Sequence, residues 1–203
     1  MMKYSDYNII PIGDHCIISM ILKELNLRKQ SYPFDWVSNI EQLYDTNIIY
    51  NIEIINELKM TDNVDNIVEK YIGNAFYNNK ININNNIWFP HDNENITDIM
   101  EKYKRRFIRL KIDLNKKNIF ILVTRYYYIE KEIFQKILEQ LLNYNNESII
   151  LFISGTNHKY FENTKYSNVI FKYIKYDVMK FHDYDYTTFR PNVKMFLTDL
   201  FFN

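Results

Sequence analysis

The sequence predicts a three-layer α/β domain with a mostly parallel sheet, and three observations lead there. First, the second half holds three continuous apolar runs, Asn118–Thr124, Ser148–Ser154 and Val169–Phe171. Strands apolar on both faces are covered on both sides, which is the signature of parallel sheets. Second, Glu130 to Leu142 separates the first two runs with Ile133, Ile137 and Leu141 at helical spacing, so strands and helices alternate. Third, the chain opens on the same unit: Tyr7–Ile12 is a short apolar run, and from Cys16 the period becomes helical. The chain has 203 residues and no internal repeat or linker. The expectation is therefore one domain over residues 1–203, with a Rossmann-like or flavodoxin-like sheet.

The elements follow in order. Pro11 marks the first strand as irregular or near its end, and Gly13-Asp14 closes it. Ile17, Ile21 and Leu25 carry the next helix, with Asp14 or His15 near its N-cap and Asn26-Leu27-Arg28 ending it. Ser31-Tyr32-Pro33-Phe34-Asp35-Trp36 reads as a compact turn, in which Phe34 and Trp36 plug the core and Asp35 caps backbone N–H groups. Ser38-x-x-Glu41 has the spacing of a capping box and predicts a helix toward Tyr50. Another helix is expected over 62–72, with short strands near Ala75–Tyr77 and Ile87–Phe89. Asn95-x-x-Asp98 opens a polar helix to about Lys111, and Pro191 begins the last one.

Composition narrows function by exclusion. Basic and acidic residues number 25 each, so the chain projects no long-range field of one sign. Nucleic acid, whose binding rests on neutralised phosphates, is not an expected partner. Met1-Met2-Lys3-Tyr4-Ser5-Asp6 is not an apolar signal segment, and no stretch approaches a membrane span. A single cysteine leaves no internal disulfide, which fits a cytoplasmic protein. The wealth of Asn, Ile, Lys and Tyr, with only 3 Gly and 4 Pro, reflects codon bias rather than chemistry.

Cys16 is the leading site candidate. A thiol in the first turn of a helix meets the positive end of the macrodipole, which favours the thiolate. Unpartnered N–H groups there can also stabilise an oxyanion. Gly13, Asp14 and His15 belong to the same strand-to-helix turn, where parallel α/β folds bind ligands. The bland alternative is a cysteine buried as a small hydrophobe.

A cysteine nucleophile needs a base, and the histidines are His15, His91, His158 and His182. His15 adjoins Cys16, and consecutive helical side chains diverge. His91 could take the thiol proton with Asp92 or another acid fixing its tautomer, while His158 follows the run ending at Ser154. Further ligand contacts are expected from Asp35, from Arg105 (which shares a helix face with Arg109) and from Arg125 at a strand end.

Gly13-x-x-Cys16, Leu27-Arg28-x-x-Ser31-Tyr32-Pro33-Phe34-Asp35-Trp36, Phe89-Pro90-His91-Asp92, Arg105-Arg106-x-x-Arg109 and the run Ile119–Arg125 together resemble an uncharacterised family of bacteria and large DNA viruses. Its label is "putative papain-like cysteine peptidase", and the resemblance spans about residues 7–125. It implies Cys16 as nucleophile and His91 as base. A papain-like fold would place the cysteine helix first and pack it on an antiparallel barrel. Here an apolar strand comes first, so the strand order predicts a doubly wound sheet instead. Gly13-Asp14 also faintly resembles hydrolases built on a Gly-Asp-Ser turn, although His15 stands where their serine would be.

Two readings of different class follow. One is a cysteine-dependent hydrolase or acyl-transfer enzyme acting on a small-molecule, peptide or glycan substrate, with no cofactor or metal. The other is a non-hydrolytic ligand-binding or transferase-like domain for sugars or nucleotides, or an interaction protein in which Cys16 is simply buried.

Overall fold

The computed structural model describes residues 4–13, 16–39, 47–82, 87–125, 128–163, 166–176 and 185–202. Asp14, His15, the tyrosines at 126 and 127, and His182 lie outside them. The main sheet has four parallel strands in the order β1 (Asn8–Gly13), β5 (Asn118–Thr124), β6 (Ile149–Ser154) and β7 (Val169–Tyr173). The register pairs Gly13 with Val123 and Thr124 with Ser154, so those carboxyl ends lie along one edge of the sheet.

Burial on both faces explains why β5 and β6 are apolar throughout. Alternate residues serve opposite layers. Ile10, Ile12, Phe120, Leu122, Ile150 and Phe152 face a core built with α2 (Asn47–Met60), α5 (Ile96–Asp113) and α6 (Lys131–Leu142). Ile119, Ile121, Val123, Ile149, Leu151 and Ile153 face α1 (Ile17–Glu24) and the C-terminal helix α8 (Arg190–Phe202). Helices on both faces of a parallel sheet make the three layers that the sequence predicts. Among the described residues β1 is an edge strand with β5 as its single ladder neighbour, a position that tolerates Pro11.

The region between β1 and β5 departs from expectation in two places, and the start of the last helix in a third. Ser38 is not the N-cap of a capping box: Ser38–Asn39 forms β2, which pairs antiparallel with β4 (Ile87–Trp88). β3 (Ile81–Asn82) lies on the other side of β4, completing a small sheet of order β2-β4-β3. Ala75–Tyr77 is helical rather than extended. It belongs to α4 (Asn74–Tyr77), which follows α3 (Val64–Val68) through a π-helical turn, Glu69–Gly73. Pro191 is the second residue of α8, because a π-helical turn at Asp185–Phe189 leads straight into Arg190.

Other signals hold as read. Asn95 caps α5 by accepting the Asp98 N–H at 3.0 Å. α1 ends in a Schellman turn: Asn26 has φ 55°, its N–H reaches the Lys23 carbonyl at 3.2 Å, and the Leu27 N–H reaches Leu22 at 2.9 Å. That turn redirects the chain into the segment from Arg28 to Trp36. Short α7 (Tyr160–Asn163) lies between β6 and β7.

Candidate active site around Cys16

Cys16 is the N-cap residue of α1, and it is 5% exposed. Ile17, Ile18, Ile21 and Leu22 seat that helix in the core, so the sulfur is carried on a fixed element. His91 comes from the turn between β4 and α5, 75 residues away in sequence, and its Nε2 stands 3.6 Å from the Cys16 sulfur. That distance is within hydrogen-bond reach of a sulfur. His91 is exposed, whereas Cys16 is buried.

Three anchors place His91. Phe89, just before it, is buried against Phe76 and Tyr103, and its N–H donates to the Lys80 carbonyl at 3.0 Å. Asp92, just after it, is 4% exposed. The Asp92 carboxylate accepts from the Lys102 ammonium and from the Tyr103 hydroxyl, the latter at 2.7 Å, both on α5. Burial and the neighbouring Asp92 push the Tyr103 hydroxyl well above its ordinary pKa, so it stays a donor. Among the described residues no hydrogen bond joins Asp92 to the His91 ring, and the carboxylate serves the turn rather than the imidazole. The third anchor is Trp36, whose ring meets His91 edge-on at 5.6 Å and 74°.

Trp36 is itself held by the Pro33-Phe34-Asp35-Trp36 segment. Asp35 is fully buried, accepts the Tyr32 N–H at 3.1 Å and forms an ion pair with Arg28. Burial raises the Asp35 pKa, and the Arg28 charge opposes that rise. Arg28 also donates to the Ser31 hydroxyl at 2.7 Å and lies 5.3 Å over the Trp36 ring. Asp35 thus caps backbone as the sequence suggests, and through Arg28 and Trp36 it stands three contacts from His91.

The other candidates fall into separate places. Gly13 ends β1, and its carbonyl accepts from Asn51 of α2 at 3.3 Å. Asp14 and His15 lie outside the described residues. Arg105 is exposed on α5; its neighbours turn inward instead, Arg106 over the Tyr103 ring at 4.9 Å and Arg109 onto the Ser31 carbonyl at 2.6 Å. Arg125 follows β5 and is 2% exposed, a position deep for a ligand contact. His158 is fully buried and accepts the Ile129 N–H on Nε2 at 2.9 Å, while Nδ1 sits 2.9 Å from the Thr156 carbonyl. Those contacts fix the Nδ1–H tautomer, and burial lowers the pKa to about 4, so His158 is a neutral structural ring.

Sequence reading missed Lys102, Tyr103 and the Arg28–Trp36 stack. Tyr103 shares the apolar face of α5 with Ile99, Phe107 and Leu110, and a hydroxyl on such a face needs a buried acceptor. That was the available signal.

The fold and the site define an α/β protein with a cysteine–histidine pair at a strand-to-helix turn. The model of the family described as "Putative papain-like cysteine peptidase" matches residues 7–154, and the chain belongs to that family. The match covers Cys16, the Pro33–Trp36 segment, His91 and the strands β1, β5 and β6. Searches of the curated proteins and of the solved structures returned no match.

Proposed function

We propose that the protein is a cysteine-dependent acyl hydrolase or acyl-transfer enzyme, with Cys16 as nucleophile and His91 as general base. The single observation that carries this reading is the 3.6 Å approach of His91 Nε2 to the Cys16 sulfur at the N-terminus of α1. A nucleophile and its base must come within such reach.

The chemistry runs as in other cysteine–histidine pairs. With Nδ1 protonated, the free Nε2 takes the thiol proton, and the positive end of α1 favours the resulting sulfur anion. The sulfur attacks an acyl carbon, and the carbonyl π electrons move to oxygen. N–H groups of the first helical turn are the nearest preorganised donors for that oxyanion. Collapse expels the leaving group, which takes the proton from His91, and leaves a thioester on Cys16. His91 then deprotonates water or another acceptor, which attacks the thioester and returns the thiol. Trp36 and the Asp92 anchor act as positioning groups that hold the imidazole over the sulfur.

An activated ester tests the proposal without knowledge of the natural substrate. p-Nitrophenyl acetate should give a burst of nitrophenolate and an acetyl group on the peptide containing Cys16. Cys16→Ser and His91→Gln should each lose the burst at least 100-fold, within the range removed by loss of a general base. A burst that survives in Cys16→Ala would sink the reading. Supplying an amine or thiol as acceptor separates transfer from hydrolysis by the products formed.

A further inference from the structure

An open pocket of about 350 Å³ lies at the far end of α1, lined by Lys23, Asn26, Arg28, Lys29, Gln30 and Ser31. Each of the six side chains carries an N–H or O–H donor, and none is a carboxylate. In a chain with 25 basic and 25 acidic residues, such a local excess of one sign is informative. The two carboxylates behind the wall are buried and already paired. Asp35 holds Arg28, and Asp113 meets Lys116 at 2.8 Å. The Lys29 ammonium donates to the Ser5 carbonyl at 2.9 Å, which neutralises no charge. Among the described residues neither Lys23 nor Lys29 forms an ion pair. The carbonyls of Leu22 and Lys23, which would repel an anion, are closed by the Schellman turn.

The pocket shares a wall with the candidate active site. Arg28 lines it and lies over Trp36 at 5.3 Å, and the same ring meets His91 at 5.6 Å. Cys16 and Lys23 stand at opposite ends of α1, separated by about 10 Å of helix. About three extended residues of a substrate would cover that span.

We infer that this pocket is a subsite for an anionic group, a carboxylate or a phosphate, on the substrate whose acyl carbon Cys16 attacks. The link to acyl chemistry rests on the reading of Cys16 and His91 proposed above; the anion binding does not. Lys23 and Lys29 supply the uncompensated charge. Ser31, whose oxygen accepts from Arg28, keeps its hydroxyl proton for the ligand, and Asn26 edges the opening; Gln30 lines the wall with its side-chain amide nitrogen already donating to Asp113 and Tyr32.

Two measurements on the full chain separate the parts. In an amide NMR titration with inorganic phosphate and, separately, glutarate, the backbone signals of Asn26, Lys29 and Ser31 should shift saturably in wild type and in Cys16→Ala alike. Affinity should fall at least tenfold in the double variant Lys23→Glu, Lys29→Glu. Both lysines are exposed, so the core is untouched. The tighter of the two ligands identifies the oxyanion. Shifts that never saturate, or that persist unchanged in the double variant, overturn the subsite.

The second measurement compares alkylation of Cys16 by chloroacetyl-Gly-Gly-Glu and by chloroacetyl-Gly-Gly-Gln amide. The acidic peptide should react at least fivefold faster, and the double variant should erase the advantage. Equal rates in wild type overturn the connection between the pocket and Cys16. Saturable phosphate binding alongside a Cys16 no more reactive than a free thiol toward either peptide would defeat the catalytic reading and leave the anion site standing.

Discussion

At the scale of single residues, the site depends on contacts that few side chains make. Cys16 and His91 were legible because residue type and position carry their chemistry: a thiol opening a helix, and an imidazole in a short turn before another. Their pairing was not legible from spacing, since 75 residues separate them and only the fold closes that gap. The same holds for Asp35. Its capping of the Tyr32 N–H is local and readable, whereas the Arg28 partnership that supports Trp36 depends on how the chain leaves α1. Removing one partner of a buried ion pair leaves the other uncompensated, at a cost of about 3–5 kcal/mol. Asp35→Ala should therefore lose stability of that order in urea melts. It should also slow alkylation of Cys16, because Trp36 no longer holds the His91 ring. Gly155 makes a second residue-scale prediction. A Cβ there would stand 1.7 Å from the Arg125 carbonyl oxygen, a backbone atom that cannot swing aside. Gly155→Ala should lose about 3 kcal/mol or more through overpacking, read from the same melts.

At the scale of elements, α5 decides where His91 sits. Its N-terminal half presents Lys102 and Tyr103 to Asp92, and its C-terminal half presents Arg109 to the Ser31 carbonyl, so one helix secures both sides of the site. Tyr103→Phe deletes the hydroxyl that donates to the buried Asp92 carboxylate. The expected cost is about 1–3 kcal/mol. The discriminating readout is Cys16 alkylation, which should fall several-fold under conditions where the variant remains folded. An unchanged rate would show that the turn needs no such anchor. Elements were legible where one signal dominated. β5 and β6 are buried on both faces and read as continuous apolar runs, and Asn95 has a single role as a cap. Ser38 was misread because Ser-x-x-Glu suits a helix start locally, while pairing with Trp88 of β4 is a tertiary effect that no local pattern reports. Ala75–Tyr77, expected as a short strand, continues the helical turns of Glu69–Gly73 and buries Ala75.

At the scale of the whole molecule, the three layers lock into two cores, one on each face of the parallel sheet. The histidine that reports on the first of these cores is His158, buried against Phe152, Tyr160, Phe161 and Phe171 rather than at the site. Its pKa is lowered by burial from 6.5 to about 4. The unfolded chain takes the proton first, so stability is full above pH 6.5 and falls as the pH drops toward 4. The whole loss attributable to this ring is about 3 kcal/mol. His158→Gln should be less stable at neutral pH, because two buried hydrogen bonds are disturbed, but it should show a flatter decline between pH 7 and 4. A decline as steep as that of wild type would place the acid sensitivity elsewhere. Among the described residues no helix is long and apolar enough to cross a membrane.

The pairing of Cys16 with His91 is best probed by the rate at which iodoacetamide labels Cys16, measured across pH 5 to 9 in wild type and in His91→Gln. Labelling at pH 6–7 should be at least tenfold faster than that of a free model thiol, because the imidazole and the helix terminus favour the anionic sulfur. The His91→Gln variant should lose that advantage and follow a model thiol with a pKa of about 8.5 or above. A wild-type profile that matches the model thiol, or one that His91→Gln leaves unchanged, would contradict that pairing.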